Sequence, residues 1–210
     1  MRATVEDHFI TEEEYCELEE KSPVKHEYYQ GRVYAMAGAS PQHCLIAFNV
    51  VTAVGSRLRG RPCRGASSDQ RVKIEATGLK TYPDTLIVCP PERYDERDPY
   101  SLLNPRVIIE VLSPTTERYD RTDKFDQYKQ IPSLTDYILI AQDRVRVEHY
   151  HCGTEDLWTV RSYNQREQSL TLPDIGIDLP LEEIYDRLNL PAGLFLLPED
   201  DGDGHKSSVD

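Results

Sequence analysis

The sequence predicts an α/β fold, a sheet flanked by helices with added β-hairpins, and three observations predict it. Leu86-Ile87-Val88-Cys89 and Val107-Ile108-Ile109-Glu110-Val111-Leu112 are rich in Ile, Val and Leu, the composition of strands central in a sheet. Leu45, Phe48, Val51 and Leu58 instead recur at the spacing of a helix face. Aromatic and β-branched residues flank turn residues at Gln30-Gly31 and at Gln142-Asp143-Arg144, which is hairpin patterning. A chain of 210 residues with no central break in composition suits a single domain over residues 1–197.

Thr11-Glu12-Glu13-Glu14 is a capping box opening a short helix that ends near Lys21, with Tyr15 and Leu18 as its apolar face. A hairpin follows over 27–36. Ser40-Pro41 combines an N-cap with proline at the first helical position, so the longest helix should run from there to about Arg59. Strands are expected over 68–74, 84–89 and 106–112. Residues 90–105 form a long, polar connection carrying Pro90, Pro91, Pro99 and Pro105, which length alone marks as mobile or functional. A helix over 120–130, capped by Asp120, should stop before Ile131-Pro132. Strands at 137–141, 145–151, 158–163 and 169–172 and a closing helix over 181–188 complete the pattern. Residues 198–210 read as an acidic, disordered tail.

The net charge of −13 argues against a nucleic-acid partner until it is located. Residues 1–20 hold eight acids against Arg2, and residues 198–210 hold five against Lys206, so the body between them carries only about −2. Five cysteines (Cys16, Cys44, Cys63, Cys89, Cys152), odd in number and without a CxxC pair, disfavour a disulfide framework or a structural zinc cluster and suit a reducing cytoplasm. No signal peptide or membrane-length apolar run is present, so no membrane partner is expected.

Two carboxylates interrupt the aliphatic runs. Asp84 shares a strand face with Leu86 and Val88, and Glu110 shares one with Ile108 and Leu112, so neighbouring strands would let them meet near their ends. A lone buried carboxylate costs several kcal/mol, and a shared divalent cation would offset that cost. Otherwise Asp84 merely caps a strand and Glu110 pairs with an arginine. Arg121, Lys124 and Tyr128 fall on one helix face that could look back at Glu110, with Lys124 suited to hold water or phosphate. Arg57, Arg59, Arg61 and Arg64 fit either phosphate contact or the helix dipole. His149 and His151 share a strand face but lack a third metal ligand.

Residues 22–43, then Tyr82-Pro83-Asp84, then Ile109-Glu110-Val111-Leu112-Ser113-Pro114, then Tyr119-Asp120-Arg121-Thr122-Asp123-Lys124, resemble the Uma-two-type endonuclease family of the PD-(D/E)XK nuclease superfamily. The resemblance spans roughly residues 10–185. It implies a restriction-endonuclease-like core, a mixed sheet flanked by helices, acting as a metal-dependent DNA endonuclease. It carries Asp84 and Glu110 over as catalytic ligands of Mg²⁺ or Mn²⁺. Leu112 stands where the superfamily pattern has lysine, and the family pattern transfers that role to Lys124, supported by Tyr128. Glu27 and His43 match further motif positions, Glu27 as a supporting residue and His43 in helix packing or behind the ligands. The expected partners are DNA and a second copy in a homodimer. The same residues also fit a module that binds nucleic acid without cleaving it, or a dimeric interaction protein with structural carboxylates.

Overall fold

The computed structural model describes residues 8–191; the tail expected at 198–210 lies outside them. The chain opens with α1 (Glu12–Lys21), whose capping box is formed: the Glu14 amide donates to the Thr11 hydroxyl and the Thr11 amide to the Glu14 carboxylate. The hairpin β1 (His26–Tyr29) and β2 (Arg32–Ala35) turns at Gln30 and Gly31, with φ of 49° and 76°. Positive φ at both central residues matches the twist of the flanking strands, and at Gly31 a Cβ would also strike the Phe9 ring. Ser40 then caps α2 (Pro41–Leu58), which buries Ile46, Val50, Ala53, Val54 and Leu58 along one side.

Six strands form the main sheet: β3 (Arg64–Ser67), β6 (Thr85–Val88), β8 (Pro105–Leu112), β9 (Asp136–Ala141), β10 (Val147–Cys152) and β11 (Trp158–Tyr163), adjacent in that order. Only β8 and β9 run parallel, so the sheet is mixed, and their crossover carries α3 (Glu117–Arg121) and α4 (Asp123–Tyr128). A second sheet joins β1 and β2 to β5 (Lys80–Thr81), β4 (Arg71–Lys73) and β7 (Ser101–Leu102). The pair β12 (Ser169–Leu172) and β13 (Ile177–Pro180) and the one-turn α5 (Leu181–Ile184) end the described chain.

The two-residue period of β8 divides the core. Val107, Ile109 and Val111 face α2, β12, β13 and α5, whereas Ile108 and Leu112 face Tyr128 of α4 and Val72, Ile74, Leu79 and Leu102 beside the second sheet. Each face is apolar because each is covered, which explains the near-continuous hydrophobic run.

Several local expectations fail for identifiable reasons. The strand expected over 68–74 is confined to Arg71–Lys73, because Ser68, Asp69 and Gln70 make a turn closed by the Gln70 amide on the Ser67 carbonyl at 3.0 Å. The preceding strand β3 was not expected, since Arg64-Gly65-Ala66-Ser67 has no large apolar side chain. It packs closely instead, a Cβ on Gly65 falling 3.0 Å from Val54 Cγ1. The helix expected over 120–130 is broken at Thr122, whose ψ of −93° separates α3 from α4. Asp120 therefore lies inside α3 and caps nothing. The closing helix is only one turn, preceded by the unexpected β13. Cysteine number and spacing disfavoured a disulfide framework, yet Cys63 and Cys89 form a disulfide: Arg64 pairs with Val88, which sets the two cysteines opposite each other with Cα atoms 4.1 Å apart. Cys16, Cys44 and Cys152 are free. Among the described residues no helix is long and apolar enough to cross a membrane.

The proline-rich connection over 90–105 is tied to the second sheet. The Leu103 amide donates to the Arg93 carbonyl at 2.8 Å, and Asp98 is buried between two cations. Arg71 donates to its Oδ1 at 2.6 Å, while Lys80 and the Ser101 hydroxyl donate to its Oδ2 at 3.1 and 2.7 Å. Burial alone would raise the Asp98 pKa, but these donors together lower it below the usual carboxylate range. Removing one member of such a group leaves buried charge without a partner. Asp98→Ala should therefore cost about 3–5 kcal/mol in urea denaturation. A loss below about 1 kcal/mol, the worth of an exposed pair, would show that the cluster does not anchor the connection.

Candidate active site

The antiparallel register of β6 and β8 sets Thr85 opposite Ile109, so Asp84, just before β6, comes level with Glu110. Their backbones hold them there. The Asp84 amide donates to Glu110 Oε2 at 3.3 Å, and the Val111 amide donates to Asp84 Oδ2 at 2.7 Å. The two carboxylates that interrupt the aliphatic runs thus meet near adjoining strand ends, as their alternation predicts.

The crossover between β8 and β9 lays α4 on the face that Glu110 shares with Ile108 and Leu112. From α4, Lys124 Nζ reaches Glu110 Oε1 at 2.7 Å and the Tyr128 hydroxyl donates to the same oxygen at 3.0 Å. Phe125 stacks on Tyr137 of β9 with ring centroids 5.1 Å apart. The Tyr137 hydroxyl donates to the Asp120 carbonyl at 2.9 Å, fixing the junction of the two short helices. The break at Thr122 sends Arg121 elsewhere, to Glu117 and Glu148, so it does not share the site with Lys124 and Tyr128 as its spacing suggested.

Lys124 has two more acidic neighbours. Asp120 Oδ1 lies 3.6 Å away, one helical turn earlier, and Glu27 Oε1 of β1 lies 3.7 Å away while accepting from the Thr81 hydroxyl at 2.6 Å. Lys124, Glu110, Asp120 and Glu27 are all buried, but the Asp84 side chain keeps 19% of its exposure. Asp84 is therefore the open edge of the cluster. At that edge His43, from the first turn of α2, places Nε2 3.1 Å from Asp84 Oδ1. Its Nδ1 is buried without a hydrogen-bond partner.

Burial pushes the Glu110 carboxyl up to about 7 against the pull of Lys124, and the neighbouring charges of Asp84 and Asp120 add to the rise. Burial alone would lower the Lys124 pKa, but Glu110 and Asp120 outweigh it and raise it, so the ammonium persists. Burial likewise raises the Tyr128 phenol, keeping it a donor. For His43 burial opposes charging, yet the hydrogen bond and charge of Asp84 prevail and its pKa is raised.

Asp120 and Thr81 were not anticipated. The four-residue spacing of Asp120 and Lys124 was a visible signal, obscured by the capping role assigned to the aspartate. Nothing in the sequence marks Thr81. His43 was expected in packing or behind the ligands, and it touches Asp84 directly. The arginine segment is largely engaged within the protein: Arg57 makes a bidentate pair with Glu183, Arg64 one with Glu92, and Arg61 donates to the Gly176 carbonyl at 2.7 Å.

The donor set suits a hard divalent cation. Two carboxylates from adjacent strands converge, one at an open edge, and Glu110 presents Oε2 toward Asp84 while Lys124 and Tyr128 hold Oε1. Mg²⁺ and Mn²⁺ commonly take one or two carboxylates and complete their octahedra with water and phosphate. Asp84 and Asp120 add negative charge beside the buried Glu110, which such an ion would offset.

Compared with known proteins, residues 12–182 match the family model described as "Uma2: Putative restriction endonuclease". The chain is 35% identical over 176 residues to the uncharacterized protein slr1290 of Synechocystis sp., covering 84% of this chain and 91% of the relative. It is 32% identical over 149 residues to sll1609 of the same organism, covering 71% and 84% respectively. The fold is similar to that of a crystal structure described as "a putative nuclease belonging to DUF820" from Anabaena variabilis, with a TM-score of 0.68. That match covers 83% of this chain and 97% of the other at 18% identity, so it speaks to the fold.

At Glu110, between the ordinary 4.5 and about 7, the folded chain holds a proton that the unfolded chain has released, so this group's contribution to stability falls as pH rises through that window. Glu110→Gln cannot ionise and should flatten this part of the Tm–pH profile measured without divalent ions. An unchanged profile would mean that Glu110 is ionised throughout.

Proposed function

The chain belongs to the Uma2 restriction endonuclease family, and from that premise we propose that it is a DNA endonuclease dependent on Mg²⁺ or Mn²⁺, with Asp84, Glu110 and Lys124 as its catalytic residues. The observation that supports this reading most is the convergence of a buried ammonium and two carboxylates from β6, β8 and α4 at an edge that opens on one side. Such a cluster destabilises the fold unless it is compensated, which favours a functional reason for it.

Asp84 and Glu110 are the residues that would hold the ion. Bound there, it supplies Lewis acidity, lowering the cost of negative charge on the phosphate oxygens and making water more acidic. The Val111 amide fixes Asp84 Oδ2, and His43 Nε2 meets Oδ1 at the open edge. Lys124 and the Tyr128 hydroxyl grip Glu110 Oε1, directing Oε2 at Asp84. Lys124 stays protonated and has donors beyond the one spent on Glu110. From the helix it serves where the superfamily pattern places a strand lysine, orienting the attacking water or holding the scissile phosphate. Glu27 and Asp120 sustain the ammonium, and Thr81 orients Glu27. His43 steadies Asp84 at the mouth.

Incubation with supercoiled plasmid and Mg²⁺ or Mn²⁺ should give nicked and linear products that chelation abolishes. Asp84→Ala should reduce cleavage to background. Lys124→Ala should lose about 10²–10³-fold, the worth of one donor aimed at developing charge. Tyr128→Phe acts through Glu110 and should lose about 10–100-fold, with a matching loss of metal affinity. Equal nicking by wild type and Asp84→Ala would overturn the assignment. Tight DNA binding with no metal-dependent cleavage would identify a binding module on the same fold.

A further inference from the structure

A second group of ligand-type side chains lies on the other face of the main sheet. Along β9, Tyr137 and Leu139 point to the side of Glu110 and Tyr128, whereas Asp136 alternates onto the side of Ile138, Ile140 and α2. Along β10, His149 and His151 fall on that same side with Val147. The register sets His151 opposite Asp136 and His149 opposite Ile138, so both imidazoles flank the aspartate. The pairing of β9 with β10 therefore supplies the third ligand that His149 and His151 lacked in the sequence.

The geometry is tight. Asp136 Oδ1 lies 2.6 Å from His149 Nε2 and 2.9 Å from His151 Nδ1, and all three ligand atoms fall within 4.8 Å of one another. The Thr135 hydroxyl donates to Asp136 Oδ2 at 2.7 Å, which leaves Oδ1 for the imidazoles, the outer hydrogen bonding that metal-ligating carboxylates receive. The Asp136 side chain is fully buried and that of His149 nearly so, while His151 retains 31% exposure, which gives the group one solvent-facing side. A tetrahedral ion with bonds of about 2.0–2.1 Å needs its ligand atoms roughly 3.3 Å apart. Reaching that size lengthens the Asp136–His149 contact by about 0.7 Å and the Asp136–His151 contact by about 0.4 Å, within reach of side-chain rotation.

We propose that Asp136, His149 and His151 form a second metal site, selective for a divalent transition ion of the zinc type and open to water on the His151 side. Its chemistry separates it from the Asp84–Glu110 pair. Imidazole nitrogen favours zinc-like ions over magnesium, whereas a pair of carboxylates favours the reverse. The ion would clamp β9 to β10 beside the start of the strand that carries Tyr137.

Titration of the full-length, metal-free protein with Co²⁺, followed by Zn²⁺ displacement, tests this. Wild type should take up one equivalent with the visible absorption of low-symmetry Co²⁺ coordination, and one equivalent of Zn²⁺ should abolish the band. His151→Gln, at a partly exposed position, should weaken binding at least tenfold, and Asp136→Asn should do the same. Asp84→Ala should leave the band intact, and Mg²⁺ should not displace it. Absence of the band in wild type would overturn the proposal, as would its persistence in both His151→Gln and Asp136→Asn. Its loss in Asp84→Ala or Cys152→Ser would place the ion elsewhere and overturn it equally.

Discussion

The contact between Lys124 and Glu110 is the constraint around which this face of the fold is arranged. Glu110 occupies an inward position of a central strand, between Ile108 and Leu112, where an uncompensated carboxylate would cost several kcal/mol. Compensation has to come from outside the strand. The parallel pairing of β8 and β9 requires a crossover, and that crossover brings α4 and its lysine over the sheet. The break at Thr122, the Phe125–Tyr137 stack and the Tyr137 bond to the Asp120 carbonyl serve the same placement. Leu112 can remain an aliphatic core residue because the cation arrives from the helix.

One ammonium does not balance this cluster. Glu110, Asp120 and Glu27 surround Lys124, and Asp84 adjoins Glu110, so acids outnumber cations even with His43 charged. The surplus is concentrated beside the one partly exposed carboxylate. A fold selected for stability alone would be better served by apolar residues here, since replacing buried ion groups by hydrophobic ones of similar volume is often neutral or stabilising. The arrangement makes physical sense as a site prepared for a cation, which is the reading proposed. The buried group around Asp98 contrasts with it. There two cations and a hydroxyl satisfy one carboxylate, and the result ties a loop to a sheet.

Much of this was legible from residue order, and the exceptions have physical causes. Asp84 and Glu110 stood out because each breaks an aliphatic pattern, and alternation put them on the faces they occupy. The capping box of α1, the Ser40 cap of α2 and the Gln30-Gly31 turn are local chemistry and formed as read. Lys124 is different: a helix lysine is ordinarily solvated, and only its place in an ordered series of family-like segments singled it out. Features set by tertiary pairing were not legible. β3 lacks apolar alternation and is a strand because β6 pairs with it, and that pairing also brings Cys63 to Cys89. Asp120 looked like a cap because the helix break was not foreseen. Nothing in the residue order marks Asp136, and only the register of β9 with β10 sets it between two histidines.

The sheet thus presents two groups of opposite character on its two faces, oxygen-rich near the ends of β6 and β8 and nitrogen-rich at the start of β9. The first carries the functional proposal. It can be located directly in a crystal of the protein soaked in Mn²⁺, by anomalous scattering measured at the manganese edge. A peak is expected about 2 Å from carboxylate oxygens of both Asp84 and Glu110, with Lys124 Nζ still on Glu110. A map with no peak between those carboxylates, or one in which Lys124 has left the cluster, would contradict it.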